Sequence, residues 1–186
     1  MEKALKQHPG NCIRVCLFGP ESSGKSTLSR KLAQHYNAAL VPEYARDYLQ
    51  TLWDKEQQIC RPKDLLPIAA GQMALENQAV AQGASLIICD TDLLTTKVYS
   101  EAYYNHWCPK LLETYALENS YDLYLLTYID TPWEADDLRD KPDSREEMFT
   151  YFRQALARYR RPFVFVHGSI EQRLHTATKA INTLLV

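Results

Sequence analysis

Short, nearly continuous apolar runs alternate along the chain with longer stretches of helical spacing. Residues 12–18, 38–41, 85–90, 121–128 and 163–166 read as strands; Ser85-Leu86-Ile87-Ile88-Cys89-Asp90 has the unbroken apolar character of a strand buried on both faces. Helical spacing covers 24–35, ended by Asn37, then 44–54, 68–82 with Gly83 at the expected C-terminal position, 93–103, 107–118, 145–159 and 170–185. Residues 55–67 are polar, contain Pro62 and Pro67, and read as a loop. Residues 1–11 read as a polar, partly mobile tail, and the polar stretch at about 130–146, with Pro132 and Pro142, as an exposed lid. Strands separated by helices require parallel pairing with right-handed crossovers. The expected architecture is α/β: three layers, a five-stranded parallel sheet and a small lid, in one domain over 12–186.

Bulk numbers narrow the class. The 186 residues are 46% hydrophobic, enough for one core. Lys and Arg total 21 against 23 Asp and Glu, for a formal charge of −2, which speaks against a general nucleic-acid binder. No apolar stretch approaches the ~18 residues of a membrane span, and the first ten residues lack the apolar core of a secretion signal. The expected location is the cytoplasm. The five cysteines form no C-x-x-C pair and the five histidines no ligand spacing, so neither a disulfide nor a structural metal is expected.

Chemistry enters at Gly19-Pro20-Glu21-Ser22-Ser23-Gly24-Lys25-Ser26-Thr27, which follows the first strand and opens the first helix. This is the G-x-x-x-x-G-K-[ST] phosphate loop in its expected setting, a backbone N–H cradle closed by a helix N-terminus. The expected ligand is ATP. Gly19, Ser22, Ser23 and Gly24 would shape the cradle, Lys25 would reach the β- and γ-phosphates, Ser26 would ligate Mg²⁺ and Thr27 would contact the α-phosphate.

In open parallel sheets the ligand lies beyond the carboxyl ends of the strands. Polar residues cluster there: Glu43, Arg46 and Asp47 after the second strand, Asp90 and Asp92 after the third, Asp130, Trp133, Asp136 and Arg139 after the fourth, His167, Gly168 and Ser169 after the fifth. Asp90 is placed as the second acid near Mg²⁺. Glu43 is placed to orient or deprotonate an attacking hydroxyl, with Arg46 one turn on. Arg139 and Arg145 would close on the phosphates from the lid. Tyr44, Tyr103 and Tyr104 are candidates for stacking on a planar base.

Missing motifs exclude other P-loop classes. There is no Asp-x-x-Gly and no Asn-Lys-x-Asp of a GTPase, no Asp-Glu pair of a mechanical ATPase after the third strand, and no Asp-Arg of a thymidylate kinase. A small-molecule kinase remains, acting on a nucleoside, a nucleoside monophosphate or another small metabolite; the further alternative is a non-catalytic ATP-binding switch.

From about residue 12 onward the chain resembles the nicotinamide riboside kinase family, the kinase domain of the bacterial NAD regulator protein. The resemblance rests on Gly-Pro-Glu-Ser-Ser-Gly-Lys-Ser, Glu43-Tyr44-Ala45-Arg46, Gln72-Met73-Ala74-Leu75, Asp90-Thr91-Asp92-Leu93-Leu94-Thr95-Thr96, Tyr103 and Trp133…Asp136…Leu138-Arg139…Arg145. It implies a P-loop nucleoside-kinase-like fold and ATP-dependent phosphorylation of the 5′-hydroxyl of nicotinamide riboside, giving the mononucleotide. Glu43, Tyr44, Arg46, Asp92 and Tyr103 would contact the acceptor. The regulator's helix-turn-helix and adenylyltransferase domains have no counterpart here, so a kinase module without a DNA role is implied. Pro42 stands where some relatives carry an aromatic residue, and Asp136-Asp137 where they tend to carry Asp-Gly.

Overall fold

The computed structural model describes residues 1–133, 138 and 144–185. Five strands form one sheet: β1 (Ile13–Phe18), β2 (Ala39–Val41), β3 (Leu86–Asp90), β4 (Leu123–Thr127) and β5 (Phe163–Val166). Their spatial order is β2-β3-β1-β4-β5 and every pair is parallel, as the alternation of strands and helices predicts. Among the described residues the helices are α1 (Glu2–Leu5), α2 (Lys25–Tyr36), α3 (Tyr44–Glu56), α4 (Leu65–Ala81), α5 (Leu93–Tyr103), α6 (Lys110–Glu118), α7 (Arg145–Arg158) and α8 (Ile170–Asn182).

The period-2 geometry of a strand sends alternate side chains to opposite faces. Val15 and Leu17, Ile88, and Leu123 and Leu125 pack under Leu28 and Leu32 of α2 and Ala177 and Ile181 of α8. Cys16 and Phe18, Ile87 and Cys89, and Tyr124 and Leu126 pack on the other face against Leu94 and Val98 of α5 and Phe149 and Phe152 of α7. The three layers follow directly. β1 is the central strand, with β3 on one side and β4 on the other, so the loop that follows it opens into the crevice where the winding direction changes.

Three sequence expectations need correction. The tail carries α1, and Leu5 is fully buried against Leu65 and Met73 of α4 and Leu112 of α6. Its backbone is tied as well: His8 N–H donates to Asn77 Oδ1 (2.8 Å), Asn77 Nδ2 to the Lys6 carbonyl (2.9 Å) and Arg14 Nη2 to the His8 carbonyl (2.8 Å). One leucine in a polar stretch carries no periodicity, so only its partners reveal the anchor. Second, α4 begins at Leu65, not 68, after a 3₁₀ turn at Pro62–Asp64. Pro67 does not break it because the first-turn N–H groups have no intrahelical acceptor to lose. Third, α6 begins at Lys110, after Pro109, rather than at 107.

Candidate active site

The phosphate loop forms from local sequence. Ser22 (φ +55°) and Gly24 (φ +80°) are left-handed, which turns successive N–H groups toward one concavity, and Gly24 is the N-cap of α2. Gly19 serves a different need: a Cβ there would lie 2.6 Å from Thr127 Oγ1 and 2.8 Å from the Thr127 carbonyl, so β4 approaches too closely for any other residue. Lys25 is buried and its Nζ donates to the Pro20 carbonyl (2.7 Å), as does Ser23 Oγ (2.7 Å).

Distant side chains brace this loop. Ser23 Oγ pairs with Thr127 Oγ1 (2.8 Å). Thr131 Oγ1 donates to the Ser22 carbonyl (2.6 Å), and Arg145 Nη2 donates to the same carbonyl (3.1 Å) and to that of Thr131 (3.0 Å). Arg173 of α8 is nearly inaccessible to solvent, and its guanidinium donates to the carbonyls of Gly168 (2.9 Å), Ser23 (2.6 Å) and Tyr128 (3.0 Å) and pairs with Asp130. Burial raises the Asp130 carboxyl, but the Gly168 N–H at 2.6 Å and the Arg173 charge outweigh it and hold the carboxyl below its ordinary value. Arg173 belongs to none of the motifs legible in the sequence. A signal existed: it lies in the apolar stripe of α8 with Ile170, Ala177 and Ile181, and a cation within such a stripe needs buried acceptors.

One cavity of about 680 Å³ joins the loop to the carboxyl ends of β2 and β3, within the range of small-molecule sites. Ser22, Ser23, Gly24, Lys25, Ser26 and Thr27 line one end; Pro42, Glu43, Arg46, Gln72, Tyr99 and Tyr103 line the other, with Asp90 and Thr91 between. Asp90 is buried; the Lys25 charge and the neighbouring Ser26 hydroxyl lower its carboxyl, yet burial wins and raises it above the ordinary carboxylate value. Among the described residues its Oδ1 has no hydrogen-bond partner, a costly state for a buried acid unless a cation completes it. Tyr99 was not singled out from sequence. Burial first, then the charges of Glu21 and Glu43, push its hydroxyl well up.

Thr91 explains how two nearby acids separate. In an extended strand Asp90 and Asp92 would point the same way. Thr91 has φ +80°, an outlier for a β-branched residue, and the chain turns there. Asp90 stays at the cavity, whereas Asp92 enters the core and caps α5, accepting from Thr95 N–H (2.8 Å), Thr95 Oγ1 (2.9 Å) and Tyr124 Oη (2.8 Å). Asp92 is therefore a capping residue here, absent from the cavity wall where acceptor contact was expected. Burial raises its carboxyl too, against those three donors. Tyr44 also departs: its ring lies on Gly71 of α4, where a Cβ would come within 2.1 Å of it, and it is not among the cavity residues. Arg145 is engaged with the loop backbone and also stacks its guanidinium over Trp133, 5.7 Å from the ring centre, rather than lining the cavity. Arg139 and Asp136 lie outside the described residues. Tyr104 lines the cavity but its hydroxyl donates to the Cys60 carbonyl (2.9 Å), and burial pushes that hydroxyl above its ordinary value.

A phosphate loop after the central strand of a 2-3-1-4-5 parallel sheet, opening into one cavity with acids from two further strands, defines a P-loop nucleotide-binding fold. The chain belongs to the AAA domain family, whose model matches residues 14–173. It is 34% identical over 125 residues to the trifunctional NAD biosynthesis/regulator protein NadR of Salmonella typhimurium, a match covering 67% of this chain and 30% of that protein. It thus spans under a third of the curated relatives it matches, the Escherichia coli NadR among them. Among solved structures it is similar to a NadR protein in complex with NR, with TM-score 0.70 and 25% identity over 93% of this chain and 51% of that one. A deoxyadenosine kinase from M. mycoides shares the fold, with TM-score 0.68 and 16% identity over 92% of this chain and all of that one. Among the described residues no helix is long and apolar enough to cross a membrane.

Proposed function

We propose that this chain transfers the γ-phosphoryl group of ATP to the 5′-hydroxyl of a riboside, with nicotinamide riboside as the acceptor. The observation that carries the reading is the single cavity walled by Lys25 at one end and by Glu43 and Arg46 at the other, with Asp90 between. Similarity to a NadR solved with NR, nicotinamide riboside, supports the choice of acceptor.

Glu43 takes the 5′-hydroxyl proton as the oxygen attacks the γ-phosphorus, and the bond to the β-phosphate oxygen breaks to leave ADP. Lys25 and the inward N–H groups of residues 22–26 stabilise charge on the leaving β-phosphate. Arg46 orients the ribose end of the acceptor, and Tyr103 offers a partly exposed ring to the base. Ser26 and Asp90 fit Mg²⁺: a hydroxyl beside a buried carboxylate whose Oδ1 has no partner among the described residues is the donor set such an ion completes. When bound, Mg²⁺ neutralises phosphate charge and fixes the phosphates' orientation.

An acceptor screen with ATP tests this reading. Nicotinamide riboside is expected to give its 5′-monophosphate with one ADP per product. Turnover on a monophosphate but not on its riboside would overturn the acceptor assignment, and ATP left intact with every riboside and every monophosphate would overturn the kinase.

A further inference from the structure

Resting on that kinase reading, we propose that Gln72 is the positioning residue for Glu43, acting as a helix cap supplied in trans by α4. Glu43 occupies the N-cap of α3, yet its side chain makes no cap hydrogen bond. The first N–H of a helix is one of the donors that lack an intrahelical acceptor. Here that donor is Tyr44 N–H, and Gln72 Oε1 accepts from it at 2.9 Å. The same amide donates through Nε2 to the Pro42 carbonyl at 3.2 Å. One buried side chain therefore grips the backbone on both sides of Glu43 and relieves that carboxylate of capping duty.

The neighbouring residue reinforces the grip. Gly71 leaves the space in which the Tyr44 ring lies, and any Cβ there would displace it. Two consecutive residues of α4 thus fix the three-residue turn Pro42-Glu43-Tyr44 at the cavity wall. A carboxylate working as a base must sit within hydrogen-bond reach of its proton, and a displacement of about 1 Å costs on the order of 10²-fold in rate. Leucine at 72 keeps the volume and loses both bonds. Glutamate at 72 keeps the acceptor for Tyr44 N–H, loses the donor to Pro42, and adds a negative charge near Glu43.

The test is a double-mutant cycle on kcat with nicotinamide riboside, using Gln72→Leu, Glu43→Gln and the pair, with Gln72→Glu as a second probe and thermal unfolding of each. Gln72→Leu is expected to lower kcat by about 10- to 100-fold with the KM for ATP unchanged. Added to Glu43→Gln it is expected to cost less than threefold more, because the group it positions is already gone. Gln72→Glu is expected to fall between wild type and Gln72→Leu. If Gln72→Leu lowers Tm alone, or its rate loss multiplies in full with that of Glu43→Gln, the residue is structural and the inference is overturned while the kinase reading stands. A folded wild type that phosphorylates no acceptor overturns both.

Discussion

At the phosphate end of the cavity, residues 19–27 form their turn from local sequence, and Thr127, Thr131, Arg145 and Arg173 then hold the turn's carbonyl and hydroxyl groups from outside. At the acceptor end no local motif shapes the wall. Pro42, Glu43 and Arg46 come from the start of α3, Gln72 from α4, Tyr99 and Tyr103 from α5, and they meet only because those helices pack together. The phosphate end takes a ligand of fixed shape and charge, so a braced backbone cradle suffices. On the proposed reading the acceptor end must tell one small molecule from another, a task suited to side chains from separate helices.

The contrast can be broken first at the acceptor end. Glu43→Gln is expected to lower kcat by about 10² to 10⁴-fold, the usual range for a positioned general base. Binding of a fluorescent ATP analogue should remain unchanged, because the phosphate end is intact. Loss of both together would mean that the two ends are one mechanical unit.

Asp90→Asn tests the acid between the ends. Its rate is expected to fall by about 10² to 10³-fold, while the nucleotide-free protein gains about 1 kcal/mol of stability at neutral pH. The sign follows from burial, which raises the folded-state carboxyl above its unfolded value. Below the unfolded value, near 4, both states are protonated and the carboxylate costs nothing. As pH rises through the folded value the unfolded state is the better acid and stability is lost. Unfolding midpoints measured from pH 3.5 to 8 should therefore separate the variant from wild type only on the alkaline side.

Arg173→Ala sharpens the other end. Removing a buried guanidinium leaves the Ser23 and Tyr128 carbonyls without that donor and Asp130 without its cation, and a cost of about 3–5 kcal/mol is expected in denaturant unfolding. ATP affinity should fall with it, and Arg173→Lys should restore little, since one ammonium cannot reach four acceptors in a plane. The smallest effect belongs to Asp92→Ala. Loss of the α5 cap is expected to cost about 1–2 kcal/mol with kcat near wild type. A large rate loss in a stable Asp92→Ala protein would return that residue to the acceptor site.

Much of this was legible in the chain. Strand number, parallel pairing and three layers follow from apolar runs separated by helical spacing, because burial on both faces removes the polar alternation of an exposed strand. The phosphate loop, Glu43 and Asp90 were legible because each follows a strand directly, and a parallel sheet gathers those ends in one crevice. Asp92 and Tyr44 were misplaced by the same rule. One positive φ at Thr91 redirects a carboxylate into the core, and the absence of a Cβ at Gly71 admits the Tyr44 ring against α4.

By itself, then, the order of residues determined the strand count, the layers and the cradle, since these depend on periodicity and on neighbours a few positions apart. Only the folded chain decided which acids face the cavity and which cap helices, that Leu5 anchors the N-terminal segment, and that Arg173 and Gln72 reach across from α8 and α4 to hold the two ends. Gln72 and Arg173 do so through partners as far as 28 to 150 positions away, and a hydrogen-bonding side chain looks the same in sequence whatever it meets in space.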